Sequence, residues 1–465
     1  MGREKELAKN TIVLAIGKFI PRIISIITLP IITGCLSKSE FGIYDLIDTL
    51  VMLLIPVATL QIQSAAFRFL IDCREDENRT KKIITNIFVV TFPMSVLVSL
   101  LIAVFLKNVP VSTRLLIGSY FFVDTFQQTL GQIIRGLNHN KIFSNAALVL
   151  SVINAGSIAL ALLVLKGGLN GVIVSLLLAN VGAVIYMLCS VHLSRYVRWD
   201  SISGDTIKRL IAYSWPMIPN NLSTWVLKLS DRLVIVANLG IQANAVYAAA
   251  NKIPNMLSIA QSVLIMAWQE NASLAVNDKD AGEYYSKMFD EIFRMVIGLT
   301  ALLIAGTPIL FWLLIRGDYD EAYVQMPILI LAMLFCCMSA FQGGIYIAHK
   351  KTLSVGVTTM IAAGVNLLID VLLVNKIGIT AGSLSTLIAY LFLYVYRQID
   401  VQRFQKVNFY IGKQILLIGM IVLMLCMCFA RVLWLDVINI IFGCVFCIFI
   451  NRKMLYTLYQ KKVKR

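Results

Sequence analysis

Apolar segments long enough to cross a lipid bilayer recur along the whole chain and limit the folds that it can adopt. A helix of roughly 20 apolar residues spans the hydrocarbon core of a membrane, and about fourteen such segments can be counted. No stretch alternates apolar and polar residues as a barrel strand does, so a helical bundle is the spanning structure that remains. The predicted spans lie near residues 11–33, 41–67, 84–106, 115–137, 142–165, 170–192, 210–237, 244–269, 288–315, 323–347, 352–374, 379–400, 410–430 and 433–451.

The composition agrees with an all-α integral membrane protein. Hydrophobic residues make up 59% of the chain and charged residues 14%. In soluble domains about 45–50% of the residues are apolar and about 25% are charged. The first apolar run follows a polar, basic start, is broken by Lys18, Pro21 and Arg22, and has no small-residue cleavage site. We therefore expect an uncleaved first span rather than a signal peptide.

The basic residues predict the orientation of the bundle. If the amino terminus is cytoplasmic, the inner segments and the span ends that adjoin them hold 29 of the 41 lysines and arginines, the outer loops hold seven, and five lie deeper inside spans. Cytoplasmic loops are enriched in basic residues, so both termini are expected on the cytoplasmic side of a bacterial inner membrane. The formal charge of +16 is then explained by topology and by contact with anionic lipids, and not by nucleic-acid binding.

The sequence gives little support for an enzyme, a cofactor or a metal site. Seven of the nine cysteines lie in apolar runs, and the three histidines are far apart at loops or span ends. These cysteines are expected to be small apolar filler and not metal ligands or a disulfide framework. No phosphate-binding GxxxxGK[ST] motif is present, so no ATP-driven motor is expected.

A charged stretch in the seventh predicted span is the strongest local signal for function. Lys228, Asp231 and Arg232 stand at i, i+3 and i+4, and so share one helical face in an apolar run. Charges in a bilayer usually face the bundle interior or a water-filled cavity. Two interpretations stay open. In the first, the Asp–Arg pair has a structural role and holds two helices together. In the second, the charged face lines a polar pathway for a solute.

Polar stripes on other spans favour a hydrated cavity. Span one carries Thr11, Lys18, Arg22 and Ser25, span four carries Asp124, Gln128, Gln132 and Arg135, and span eight carries Asn251, Asn255, Ser258 and Ser262 with Lys252 beside them. Polar contacts between helices would explain any one stripe equally well. Because Lys18 and Arg22 lie on the inner half of span one, an inward-open cavity would be cationic there. Such a cavity suits an anionic diphosphate headgroup better than a cationic drug.

Weak internal repeats predict the domain organisation. The segment Glu40–Tyr44 aligns with Ala243–Tyr247 at an offset of about 203, and two later motif pairs align at about 210. Since this offset contains six spans, we expect two parallel six-helix lobes, residues 1–204 and 205–402. Residues 403–465 would add two further helices and a basic cytoplasmic tail.

The chain resembles the bacterial polysaccharide transporter, or oligosaccharide flippase, family of the multidrug/oligosaccharidyl-lipid/polysaccharide exporter superfamily. The resemblance covers roughly residues 5–400 and departs from the family pattern at Asn244, where a glycine is usual. The motifs that carry it are Leu36–Tyr44, Ala66–Leu70, Arg135–Asn138, Asp231-Arg232, Ala245–Lys252 and Gly378–Gly382.

This resemblance implies a MATE-like fold that flips undecaprenyl-diphosphate-linked oligosaccharide across the cytoplasmic membrane. Candidate partners are the lipid-linked substrate, membrane lipids, a coupling H+ or Na+ and a polysaccharide polymerase. A peptidoglycan-precursor or sporulation-type flippase, a cation-coupled drug exporter and a non-transport scaffold stay open as alternatives. The positions matching the family's cavity charges are Arg22, Lys228, Asp231 and Arg232, with Arg68 at the end of span two. Together with the residues of the polar stripes, the candidate substrate-binding set is Lys18, Arg22, Arg68, Asp124, Lys228, Asp231, Arg232 and Lys252.

Overall fold

The computed structural model describes residues 17, 20–21, 23–74, 76–106 and 109–463, and these residues are almost entirely helical. The predicted all-α membrane fold is therefore confirmed. The helices are α1 (Ile23–Cys35), α2 (Lys38–Ala58), α3 (Ile62–Ile71), α4 (Glu77–Phe105), α5 (Val111–Gly136), α6 (Asn140–Ala159), α7 (Gly168–Val191), α8 (Gly204–Ser214), α9 (Met217–Leu239), α10 (Ile241–Lys252), α11 (Asn255–Ala275), α12 (Ala281–Ala305), α13 (Thr307–Leu314), α14 (Asp320–Ala348), α15 (Thr352–Ile377), α16 (Thr380–Val401), α17 (Ile411–Phe429) and α18 (Leu433–Val463). A π-helical turn, Leu160–Val164, extends α6, and two 3-10 turns, Leu193–Tyr196 and Trp199–Ser201, precede α8.

Many of these helices can cross a membrane. Within the described residues, eight are long and apolar enough to do so by themselves, and a bent pair, α12 with α13, makes a ninth. The chain is thus a multi-pass membrane protein. The count of fourteen spans stays a prediction, because at most nine spans in the described residues meet this requirement of length and apolar composition.

The chain separates into two compact units, Met1–Trp225 and Val226–Arg465, with the division inside α9. In the first unit α5 packs against α3, α4 and α7, and α6 packs against α7. Gly136 allows the close approach of α5 to α3, because a Cβ atom there would lie 2.7 Å from Leu70 Cβ.

In the second unit α14 is the central helix, and most of its side chains are buried. It packs against α16, α11, α10 and α12, while α18 packs along α12. Gly298 on α12 and Gly443 on α18 bring these two helices together, since a Cβ at either would lie within 2.8 Å of the facing helix.

Four of the predicted spans are interrupted near proline. The second is broken at residues 59–61, between α2 and α3, three residues after Pro56. The seventh is broken at Pro216, between α8 and α9, and the eighth at Pro254, between α10 and α11. In the ninth, α12 ends at Ala305 and the chain turns by 62° at Gly306 into α13, whose first turn contains proline. Proline lacks the amide hydrogen that a continuous helix needs, which explains these breaks.

The motif at the start of the second span has a structural task. Ser37 and Glu40 form a capping box at the first turn of α2. The other carboxylate oxygen of Glu40 accepts a hydrogen bond of 3.1 Å from the backbone N–H of Leu169. Gly168, at φ +53°, leaves room for this carboxylate, because a Cβ there would lie 2.5 Å from Glu40 Oε1. Glu40 therefore joins the amino-terminal ends of α2 and α7.

Candidate functional site

Asp231 on α9 lies at the centre of a buried polar cluster in the second unit. Its side chain is 2% exposed. Its Oδ2 atom accepts hydrogen bonds from the hydroxyl groups of Tyr247 on α10 and Thr386 on α16, both at 2.6 Å. Its Oδ1 atom is buried and accepts no well-aligned hydrogen bond, although the Asn366 amide and the Arg232 guanidinium lie close enough to stabilise the carboxylate. A carboxylate in such a place keeps one oxygen available for a ligand.

A second carboxylate, Asp370 on α15, belongs to the same cluster. It is fully buried, and neither of its oxygens accepts a hydrogen bond. The Asp231 carboxylate lies close enough to interact with it electrostatically. Two buried carboxylates that repel each other are costly unless a proton or a cation lies between them.

Neutral oxygen atoms complete this cluster. Asn366, one helical turn before Asp370, donates its amide to the hydroxyl groups of Ser385 and Thr386 at 3.3 and 3.4 Å. Its amide oxygen accepts a bond of 3.3 Å from Ser230, the residue before Asp231. The side chains of α9, α15 and α16 therefore meet at this point.

Gly382 provides the space for this arrangement. Its carbonyl oxygen accepts a hydrogen bond of 3.3 Å from Tyr247. A Cβ at this position would lie 3.1 Å from both Ile235 and the Tyr247 ring. A larger residue would press against Ile235 and against the ring of Tyr247, which donates to Asp231.

The chemistry of the cluster fits a hard cation or a proton. All of its candidate ligands are oxygen atoms, which are the donors preferred by hard cations. In the part of the chain that the structure describes, no group of three or more histidine, cysteine or acidic side chains could hold a metal ion. The residues that would bind a cation are Asp231, Asp370, Asn366 and Thr386, and Gly382 lies beside them with its carbonyl already accepting from Tyr247 and Ser385. We call these five residues the carboxylate cluster.

The first unit carries a polar face on α5. Along this face the Gln128 amide bonds Asp124 at 3.0 Å, and the Arg135 guanidinium bonds Gln132 at 3.0 Å. Gln128 is exposed and the other three are partly exposed, although they lie within a predicted span. Polar side chains that pair with each other on an open face suit the wall of a hydrated cavity.

The structure places the predicted site residues at separate points. Arg68 forms an ion pair of 2.5 Å with Asp72, and its side chain is 50% exposed. Arg232 is buried and Lys252 half-buried, and both interact with other residues. Lys18 and Arg22 lie outside the described residues, as does the side chain of Lys228.

Four members of the carboxylate cluster were not predicted as site residues. Asp370 was visible as an acid inside an apolar run, and Asn366 precedes it by one helical turn. That i, i+4 spacing of two polar residues was the available signal. Thr386 and Gly382 carry no such signal, because hydroxyl groups and glycine are common in membrane helices.

Comparisons with known proteins identify the family and the fold. A family model described as "Polysaccharide biosynthesis protein" matches residues 7–269, which is more than half of the chain. A comparison with curated proteins finds no match.

Among solved structures, an inward closed conformation of the lipid II flippase MurJ is similar over 98% of this chain and 100% of its own, with a TM-score of 0.71 and 14% identity. An inward-facing multidrug resistance MATE transporter of the MOP superfamily covers 82% of this chain and 98% of its own, with a TM-score of 0.65 and 12% identity. A MOP superfamily transporter from Pyrococcus furiosus is similar over 85% of this chain and 95% of its own, with a TM-score of 0.57 and 12% identity. The chain therefore belongs to the polysaccharide biosynthesis protein family, and its fold is that of the MurJ and MATE transporters of the MOP superfamily.

Proposed function

We propose that this protein is a flippase that moves undecaprenyl-diphosphate-linked oligosaccharide across the bacterial cytoplasmic membrane, with both of its termini in the cytoplasm. The observation that carries this proposal is the combination of the polysaccharide family match with a MurJ-like fold along the whole chain. Its product would supply capsule, O-antigen or another surface polysaccharide. The route is alternating access, in which the substrate site faces one side of the membrane at a time.

The distribution of charge supports an anionic substrate. Lys18 and Arg22 share one face of the first predicted span, and Arg135 lies at the end of the polar face of α5. A guanidinium group can bind phosphate oxygens with paired hydrogen bonds, which a cationic drug could not accept. A diphosphate headgroup fits these residues.

The carboxylate cluster supports coupling of transport to a cation. When Na+ or a proton lies between Asp231 and Asp370, their mutual repulsion is removed and α9, α15 and α16 can stay together. When the cation leaves, the two buried carboxylates destabilise this packing. Cation binding would thereby select one conformation of the second unit, and the ion gradient would drive the transport cycle.

One alternative substrate has specific support. MurJ itself is described as a lipid II flippase, and its structure covers this chain more completely than the MATE transporters do. A peptidoglycan precursor is therefore the second candidate. It carries the same diphosphate chemistry with a different glycan.

Flipping can be measured with purified protein in liposomes that contain a fluorescent lipid-diphosphate oligosaccharide. The fraction exposed on the outer leaflet is read by a membrane-impermeant reducing agent. We expect the wild type to equilibrate the lipid and Arg22→Gln to lose about ten- to hundred-fold in substrate affinity, as for a charged hydrogen bond. Arg22→Lys should recover part of this loss. Transport of lipid II but not of lipid-linked surface oligosaccharide would favour the second candidate, and transport of neither would contradict the proposal.

Coupling can be tested separately by thermal unfolding in detergent. We expect Na+ to raise the melting temperature of the wild type, because the cation binds only the folded protein. Asp370→Asn should abolish this shift, while Asp205→Asn, on the exposed surface of α8, should keep it. If Na+ gives no shift for the wild type and pH changes the unfolding of wild type and Asp370→Asn differently, the coupling ion is a proton. Equal behaviour of both proteins under every condition would contradict a cation site.

A further inference from the structure

The segment between α7 and α8 is attached to α4 through its backbone. Asn86 donates to the carbonyl of Ser201 at 3.0 Å and accepts from the N–H of Ser203 at 2.8 Å. Thr85 accepts a bond of 2.9 Å from the N–H of Arg198. Asn86 and Thr85 are almost completely buried beneath the segment. We call residues 193–203 the connecting segment.

The position of these hydrogen bonds along α4 indicates where the connecting segment lies relative to the boundary between water and lipid. The first turns of α4 contain Arg79, Lys81 and Lys82, and the apolar part of the helix follows directly. Thr85 and Asn86 therefore lie where the helix passes from water into lipid. Two turns further along the same face, Phe92 is 53% exposed, as expected for a side chain in contact with lipid. The connecting segment consequently lies at the edge of the lipid-facing surface of α4.

The outer side of the connecting segment combines large apolar and basic groups. Trp199 is 76% exposed and Ile202 is 48% exposed. Both lie between the residues whose backbones are bonded to α4. Arg195 and Arg198 are exposed as well, and Arg198 lies 3.9 Å from Asp200, which is also exposed. Tryptophan is enriched in the headgroup region of a bilayer. We therefore expect the exposed indole group of Trp199, at the boundary between water and lipid, to lie in that region.

We propose that the connecting segment is a lipid-binding element that docks on the cytoplasmic leaflet. Trp199 and Ile202 insert at the boundary between headgroups and acyl chains, and Arg195 and Arg198 bind anionic phosphate headgroups. Since this segment joins α7 to α8 and is bonded to α4, anionic lipid would stabilise the packing of these helices in the first unit. The inference does not depend on which substrate is transported.

Two features favour the bilayer over a soluble partner protein. The exposed apolar groups continue the lipid-facing surface of α4, so that a bilayer around the helices already reaches them. The basic groups complement the negative charge of the inner leaflet, where each basic residue strengthens binding by about fivefold.

The position of Trp199 can be measured by fluorescence of the full-length protein in lipid nanodiscs. The difference in emission between the wild type and Trp199→Phe isolates this side chain. We expect lipids brominated near the headgroup to quench that difference strongly and aqueous acrylamide to quench it weakly. The matched control is Trp268→Phe, whose indole is 3% exposed within the second unit and whose emission difference should respond to neither agent. Quenching of the Trp199 difference by acrylamide alone would place it in water or against a cytoplasmic protein, and would overturn the proposal.

The role of the arginines can be measured as lipid-dependent stabilisation. Phosphatidylglycerol added to the detergent-solubilised wild type should raise its melting temperature. Arg195→Gln with Arg198→Gln should weaken the apparent lipid affinity by about fivefold for each arginine. Lys376→Gln, which alters an exposed cation in a predicted outer loop, should leave it unchanged. An equal loss in the Lys376 variant, or no loss in the double variant, would overturn the anionic-lipid assignment.

Discussion

At the scale of single residues, Arg397 is the most enclosed cation that the structure describes in the second unit. It is 3% exposed. Its guanidinium donates to the hydroxyl groups of Thr358 and Thr359 and to the carbonyl oxygens of Ser339 and Val355, at 2.9 to 3.1 Å. These acceptors belong to α14 and α15, whereas Arg397 is on α16. The planar guanidinium thus joins three helices, and no described carboxylate forms an ion pair with it.

Replacing this arginine by lysine should destabilise the second unit. Lysine keeps the charge but cannot reach acceptors on both helices with one planar group. We expect Arg397→Lys to lower the free energy of unfolding by about 1–3 kcal/mol, because buried acceptors lose their donors. Thermal unfolding in detergent would measure this change. The control, Arg403→Lys, alters a side chain that is 76% exposed and should change stability by less than about 0.5 kcal/mol. A similar small effect at both positions would contradict a structural role for Arg397.

Part of the candidate site is visible in the amino-acid sequence at this scale. Asp231 could be identified because a charge inside an apolar run needs an explanation. Its partners Tyr247 and Thr386 could not, because neutral hydroxyl groups cost little in a membrane helix and their contacts depend on packing between distant segments. Arg397 was counted with the cytoplasmic cations near the end of its span, although the structure encloses it between helices.

At the scale of helices, glycine decides how closely some neighbours pack. Gly136 ends α5 where α3 crosses it, with Leu70 in direct contact. Gly364 lies on α15, and a Cβ there would meet no atom within 4 Å. Gly136 and Gly364 are both helical, but only Gly136 is in close contact with a neighbouring helix.

Alanine substitutions at these glycines should act in opposite directions. Gly136→Ala forces α3 and α5 apart and should destabilise the first unit by about 1–3 kcal/mol, as overpacking does. Gly364→Ala should be neutral or stabilise by up to about 1 kcal/mol, because alanine favours the helix. The melting temperatures of both variants, measured in the same detergent, test the comparison. Equal destabilisation by the two substitutions would contradict this account of α3 and α5.

The positions of apolar helices were largely predictable, but their interruptions were not. Long apolar runs can only be buried or placed in lipid, and this requirement determines their approximate limits. Pro216 and Pro254 were expected to lie inside helices, where neighbouring helices often tolerate proline. The structure ends a helix at each of them. Whether a helix continues through proline depends on whether other helices satisfy the carbonyl groups that proline leaves without a partner. These tertiary contacts cannot be read from the residues around the proline.

At the scale of the whole molecule, the asymmetry of basic residues predicts topology. A cysteine replacing Lys166 or Gln242 in a cysteine-free variant should react in intact cells with an impermeant thiol reagent. One replacing Asp76 or Asp200 should react only after the membrane is permeabilised. All four positions are exposed in the structure, so differences in labelling report the side of the membrane. Labelling of Asp76→Cys from outside would falsify the predicted orientation.

The predicted lobes, residues 1–204 and 205–402, with a separate appendage at 403–465, stay a prediction. The structure gives two compact units that divide within α9. Locally, the chain enters left-handed conformations at Asn138 before α6 and at Lys350 before α15. Such similarities are typical of internal repeats, but sequence motifs of a few residues cannot define their limits.

The bend between α12 and α13 has a consequence for the surrounding lipid. The last charged residue of α12 is Arg294, and the roughly eleven residues from Met295 to Ala305 rise by about 16 Å. Because α13 turns away by 62°, its eight residues add about 6 Å along the same axis. The resulting apolar length of about 22 Å is shorter than the roughly 30 Å of a bilayer interior. This hydrophobic mismatch should thin the membrane locally, and beside these two helices a polar headgroup would have a shorter hydrocarbon layer to cross.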